Sequence, residues 1–277
     1  MAAIIVGKGV TDLTTLGIAD HDTIQFSEGG QTITDSAQAT LSGLTDGLAG
    51  IFFDPFYTGT IPDSMALKCD VDYGSDPIVV YKASGGSVSL WPAGGSGVIT
   101  KVNHFGAGNI NIVSGGTVTN WEQASGLGYL SPSSAITNFV MTGGRFNAPY
   151  AATAFTTGKI TGGTLTSGRG WSTSLDQSGG TVTTAREDTN ATLPTGATLT
   201  LTGDAKHYWR GGNITTLKIS GPEVMFDARD VTKAITITNL YCTGDAEEMC
   251  RKYLKGRNFA ITVTNFFPLA CQNRSFP

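Results

Sequence analysis

Apolar and polar residues alternate in short runs along most of the chain. Thr198-Leu199-Thr200-Leu201 and Ile235-Thr236-Ile237-Thr238 are the plainest examples. A period of two predicts strands with one buried face. The runs also repeat as a phrase. Ile136-Thr137-Asn138-Phe139 leads through Val140 and Met141 to Thr142-Gly143, and Ile214-Thr215-Thr216-Leu217 leads through Lys218 and Ile219 to Ser220-Gly221. Ile237-Thr238-Asn239-Leu240, running on to Thr243-Gly244, is a third copy, and Ile99-Thr100-Lys101-Val102 keeps the spacing to Gly106. Looser copies start at Val118, Phe155 and Ser172, and Val263-Thr264-Asn265-Phe266 is a terminal echo. One segment breaks the strand rhythm. Asp245 and Glu248 form a capping-box pair, Met249, Cys250, Tyr253 and Leu254 share a helical face, and Gly256 stops the run. This predicts a short helix over 245–256.

Between the strand phrases stand paired glycines. Ser84-Gly85-Gly86-Ser87, Ser114-Gly115-Gly116-Thr117, Thr142-Gly143-Gly144-Arg145, Thr161-Gly162-Gly163-Thr164 and Ser178-Gly179-Gly180-Thr181 are each followed by an apolar residue and a new strand. Glycine accepts positive φ without a Cβ clash, so these pairs read as sharp corners. Phrase starts at 99, 118, 136, 155 and 172 lie 17–19 residues apart. Such a period is that of a solenoid turn, too thin to bury its apolar stripe alone. Stacked in parallel at roughly 4.8 Å, the turns would share one core and pair their backbones. The expected fold is therefore all-β, a parallel β-helix (β-solenoid). A strict six-residue period, the mark of left-handed hexapeptide coils, is missing, so the expected hand is right. The alternative is an antiparallel β-sandwich, whose turns also recur every 8–12 residues; it leaves the repeated phrase unexplained. The chain divides into residues 1–83, an irregular N-terminal β-region and candidate docking segment; 84–244, the solenoid repeats; and 245–277, a capping helix and terminal strand.

Composition narrows the class. There are 37 Gly in 277 residues and only 14% charged residues, against a usual ~7% and ~25%. Helical bundles suffer from that much glycine, and disordered chains carry more charge and less apolar content. A net charge of -4 supplies no basic field for nucleic acid. No apolar run approaches the ~20 residues of a membrane helix. Met1 to Val10 has neither a basic leader nor a cleavage context, so no signal peptide is expected. Cys69, Cys242, Cys250 and Cys271 show no CxxC spacing and are expected to be reduced.

Candidate chemistry is sparse. A glycosidase needs two carboxyls at ~5–10 Å. Glu122, Asp176, Glu187, Asp188, Asp204, Glu223, Asp227 and Asp230 are on the repeats, but none recurs with a partner on one strand face. Asp20-His21-Asp22 and the run Asp70 to Asp76 could attract a cation; the second resembles part of a calcium loop without its terminal Glu, and both read better as polar turns. No metal and no cofactor are expected, and no catalytic residue is assigned. The contact candidates are aromatic. Phe52, Phe53, Phe56 and Tyr57 cluster beside Asp54-Pro55 and read either as core or as a docking surface. Trp171 and Trp209 are candidate protein or glycan contacts if exposed, whereas Trp121 occupies the Phe139/Leu217/Leu240 position and is expected in the core.

The phrases 32–53, Ser114–Asn120, Asn213–Gly221 and Ala234–Gly244 resemble virion proteins of tailed bacteriophages. In that group an N-terminal β-region precedes Gly/Thr-rich β-helical repeats and a terminal strand such as 261–265. The resemblance covers most of the chain as a pattern, without a diagnostic site. It implies a structural, non-enzymatic head decoration or cement protein on the capsid exterior, assembled in the host cytoplasm. The implied partners are the major capsid protein and further copies of the chain, as a homotrimer, with neither nucleic acid nor membrane. The alternative is a tailspike or tail-fibre protein that binds or cleaves host-surface glycans.

Overall fold

The computed structural model describes residues 2–6, 13–27, 40–41, 48–61, 67–69, 78–91, 98–112, 117–131, 134–148, 155–168, 171–184, 196–210, 212–229, 234–243 and 261–269. They belong to two compact units, Met1–Thr153 and Ala154–Pro277. Each unit is an all-β parallel solenoid.

In the first unit the chain passes back and forth between two sheets. One sheet stacks β1 (Ala3–Val6), β2 (Thr23–Phe26), β4 (Gly50–Phe53), β7 (Ile78–Tyr81), β9 (Val98–His104), β11 (Thr117–Gln123) and β13 (Ala135–Met141). The other stacks β3 (Thr40–Leu41), β6 (Leu67–Cys69), β8 (Ser87–Trp91), β10 (Asn109–Ile112), β12 (Leu127–Leu130) and β14 (Arg145–Ala148), with β5 (Thr60–Ile61) also on β8. These pairings are parallel. The second unit repeats the scheme. β15 (Phe155–Ile160), β17 (Trp171–Gln177), β19 (Gly196–Thr202), β21 (Ile214–Ser220), β23 (Ile235–Thr243) and β24 (Ile261–Leu269) form one sheet. β16 (Thr164–Ser167), β18 (Thr181–Thr184), β20 (Lys206–Trp209) and β22 (Met225–Asp227) form the other, again in parallel. Parallel pairing overturns the sandwich alternative, which is built from antiparallel hairpins.

The strand phrase aligns in space as it aligns in sequence. Val118 lies beside Ile136, Trp121 beside Phe139 and Gln123 beside Met141. Trp121 is buried, as its place in the phrase implied. The alternation, however, is not strict. In β11 the buried positions are Val118, Trp121 and Gln123, with Thr119 and Asn120 both turned outward. The two outward residues bend the strand, and the inward residues of the phrase are its first, fourth and sixth. Amide side chains stack on the outer side of this bend: Asn138 Nδ2 donates to Asn120 Oδ1 at 3.0 Å, and Asn265 repeats the bond to Asn239 at 2.9 Å.

The N-terminal region is built on the same plan. Val6, Phe26, Phe53, Tyr81, His104 and Gln123 are successive members of one inward column. The described residues before 84 thus supply turns of the first unit, and the compact units divide at Thr153/Ala154. Short β3, β5 and β6 make this stretch look irregular in sequence. A short 3-10 turn, Leu13–Leu16, is the one helix among the described residues; the helix expected over 245–256 lies outside them.

The corners explain the glycine pairs. In Ser84-Gly85-Gly86 the second glycine has φ +81°, and a Cβ there would collide with the backbone of Thr58 and Gly59 on the preceding turn. Gly85 has open space around it. Gly144, Gly163 and Gly180 hold the same second position at φ 76°, 83° and 69°. One substitution pair tests this reading. Gly86→Ala is expected to lower stability by about 1–3 kcal/mol or more, and Gly85→Ala by less than about 1 kcal/mol, in chemical denaturation.

Candidate functional site

The six candidate contact residues separate into core and surface. Phe53, Tyr57, Trp171 and Trp209 are fully buried, Phe52 is half-buried, and Phe56 is 79% exposed. The cause lies in the turn Asp54-Pro55-Phe56-Tyr57. The Tyr57 N–H donates to Asp54 O at 3.0 Å, and proline suits the second position of such a turn. Gln25 Nε2 holds the Asp54 carboxylate at 2.8 Å. The Tyr57 ring is driven inward against Phe26 and Phe53, with centroids at 5.5 and 5.2 Å, and Phe56 is left pointing out.

Trp171 and Trp209 are corrections to the idea of exposed platforms. Trp171 pairs with Phe155 and stacks on its ring at 4.7 Å. The register shifts by a bulge just after this pair, so the turn begins one residue before Ser172, where the sequence phrase seemed to start. Space for the indole comes from Gly158, whose absent Cβ would fall on the Trp171 ring. Trp209 sits inside the second unit and donates its indole N–H to Gly212 O at 3.0 Å.

That last bond belongs to a device the sequence reading missed. At five corners a glycine carbonyl accepts a hydrogen bond from a buried side chain on the preceding strand. Tyr81 donates to Gly85 O at 2.6 Å, and His104 Nε2 bonds Gly108 O at 3.0 Å. Gln123 Nε2 donates to Gly126 O at 3.2 Å and Arg145 O at 2.6 Å. In the second unit Gln177 Nε2 serves Gly179, Gly180 and Lys206 carbonyls at 3.2, 3.0 and 3.1 Å. An unpaired buried carbonyl would cost about 1–3 kcal/mol, so these ties are what permit a corner to be buried. Their signal in sequence is a donor-bearing side chain three or four residues before a glycine, at an inward position.

The two buried histidines acquire defined tautomers from these bonds. Gly108 O can only accept, so His104 carries its proton on Nε2, and its Nδ1 has no hydrogen-bond partner. Gln177 donates with its nitrogen and accepts with Oε1, so His207 Nδ1 is the donor at 2.9 Å, leaving Nε2 bare. Burial drives His104 down to about 4, against a weaker upward pull from Gly108 O and the Gln123 amide. Burial drives His207 down to about 3. Desolvation likewise pushes the Tyr57 and Tyr81 phenols up.

Asp22 and Asp227 serve the fold. Asp22 accepts from the Ala2 and Ala19 backbone N–H groups, and these bonds hold its carboxyl below the usual range. Burial raises the Asp227 carboxyl, but hydrogen bonds and the charge of Arg229 outweigh it and lower the group overall. Asp176 stacks between Lys159 and Thr200, and Glu122 between Asn103 and Val140, so neither has a carboxylate beside it on an adjacent turn. Glu223 is exposed. Glu187, Asp188, Asp230 and the run 70–76 lie outside the described residues. No group of three or more metal-ligating side chains occurs among the described residues. Cys242 is buried; the other cysteine side chains lie outside the described set. Exposed apolar residues not anticipated as contacts are Ile5, Val98, Phe105, Phe266 and Phe267. Phe105 follows the inward His104 at a corner, and Phe266 ends the inward column Leu217–Leu240 on the last strand.

No family model matches the chain, and neither a curated protein nor a solved structure does.

Two substitutions separate scaffold from surface. Gln177→Leu strands three carbonyls and the His207 N–H, and is expected to cost about 3 kcal/mol or more in urea denaturation. Phe56→Ser removes nothing from the core and is expected to change stability by less than about 0.5 kcal/mol.

Proposed function

We infer that the chain is a structural virion protein of a tailed bacteriophage, a head decoration or cement protein that bridges capsid subunits. The observation that carries this reading is Phe56, a large aromatic held out at 79% exposure by a turn that is itself anchored through Tyr57 and Asp54. An exposed aromatic on a rigid support loses little conformational freedom when it is buried in a partner, which is how an interface anchor works. The likeness of Ser114–Asn120 and Ala234–Gly244 to phage virion repeats gives the partner its identity, the major capsid protein. Further parts of the proposal are a right-handed coil, the preferred hand of parallel crossovers, a homotrimer, a non-enzymatic role, a place on the capsid exterior and assembly in the host cytoplasm.

The glycan-binding reading relied on exposed tryptophans. Trp121, Trp171 and Trp209 are buried, so it has no platform among the described tryptophan side chains.

The test is cosedimentation with expanded capsid shells of the same phage. Wild-type chain should saturate the shells, and Phe56→Ser, folded by circular dichroism, should lose binding at least tenfold. Undiminished occupancy by the variant would remove Phe56 as the anchor, and failure of the wild type to bind would remove the decoration role itself.

A further inference from the structure

His104 and His207 are tied into corners of separate units, and each leaves one ring nitrogen bare in the interior. Both are 0% exposed. The His104 ring is enclosed by Tyr81, edge-on at 5.3 Å, and Trp121 at 6.4 Å. Gln123 stands beside it on the next turn, but its amide is committed to Trp121, Gly126 and Arg145. The ionisable group facing it is the Tyr81 phenol, which donates to Gly85 O. His207 is enclosed by Trp209 and by Phe226, the latter stacked on it, both at 5.9 Å. Its neighbours on the adjoining strands are Val182 and Phe226, and Gln177 takes its other nitrogen. Neither ring's protonation is influenced by a charged group. A second proton on either imidazole would therefore make a buried cation with no counter-charge.

We propose that these two imidazoles form a built-in acid release: each solenoid unit is held closed while His104 or His207 is neutral, and mildly acidic solution loosens the unit by protonating that histidine as its corner opens. The sign follows from linkage. The unfolded or opened chain takes up the proton near the ordinary imidazole value of 6.5, while the folded rings resist it down to about 4 and about 3. Stability is therefore full above about pH 6.5, and falls as the pH drops from there toward 4. The two lowered carboxylates act in a different window. Asp22 and Asp227, both held below the ordinary aspartate value of 3.8, weaken the fold only as the pH falls through and below that ordinary value.

The repeat itself supplies the test variant for the first unit. Gln123 occupies the same inward column one turn later and ties its own corner carbonyl with an amide, so His104→Gln keeps the tie and removes the titration. In the second unit His207→Asn places an amide nitrogen about where Nδ1 stands, toward Gln177 Oε1. The exposed His21, at φ 64°, is the control as His21→Asn. Urea midpoints are measured from pH 8 to pH 3.5. Wild type and His21→Asn should hold steady above pH 7 and fall steadily between pH 6.5 and 4. The double variant should stay flat over that span and fall only below about pH 4. The same slope in the double variant would overturn the proposal. Should that variant fail to fold, histidine ring NMR on the unaltered chain decides: His104 and His207 should not titrate down to pH 5, and titration of either buried ring near 6.5 in the folded state overturns it.

Discussion

Every turn of a parallel solenoid must close on itself within the spacing of one hydrogen-bonded strand, roughly 4.8 Å. The rest of this structure follows from that closure. A chain that turns so tightly brings its corners against the corners of the turn before, and a side chain there would strike backbone. Gly86 and Gly180 satisfy both demands, accepting positive φ and leaving the space that Gly59 and Gly162 occupy. Closure also turns glycine carbonyls toward the buried interior. Tyr81, His104, Gln123, Gln177 and Trp209 answer those carbonyls from within.

The polar residues of the core are thus structural in a specific way. An all-aliphatic column would pack as well, and Met141 and Leu201 show that it does at some turns. Where the corner carbonyl faces inward, though, an aliphatic side chain would leave it unpaired. The cost of the solution is borne by histidine. Imidazole can donate to the carbonyl, but it brings a second nitrogen that finds nothing, and so couples the fold to protons. Glutamine does the same work at Gln123 and Gln177 without that liability.

Surface chemistry is decided by the same closure. The turn that drives Tyr57 into the stack with Phe26 and Phe53 is the one that exposes Phe56. Four adjacent or nearly adjacent aromatics, Phe52, Phe53, Phe56 and Tyr57, thereby have different fates although their hydrophobicity is alike. Trp171 shows the opposite case, a residue that looks free because a bulge moves it one place against the repeat, and that is buried because Gly158 opens a hole for it.

The sequence by itself determined the period, the strand character and the corner glycines, because each is a local property repeated along the chain, whereas the choice of parallel over antiparallel pairing needed the structure. It determined that Trp121 shares a column with Phe139, since both hold one place in the phrase. Only the tertiary structure decided that the first residue of the phrase points inward together with the fourth and sixth, that the described residues before 84 supply turns of the first unit, and which aromatics are exposed. Those outcomes depend on bends, bulges and voids set by the neighbouring turn, and a run of residues carries no record of the turn that will lie against it. The corner ties fall between the two. Their residues are legible three or four places before a glycine, but the reason for them, a carbonyl facing the buried interior, exists only once the turn has closed.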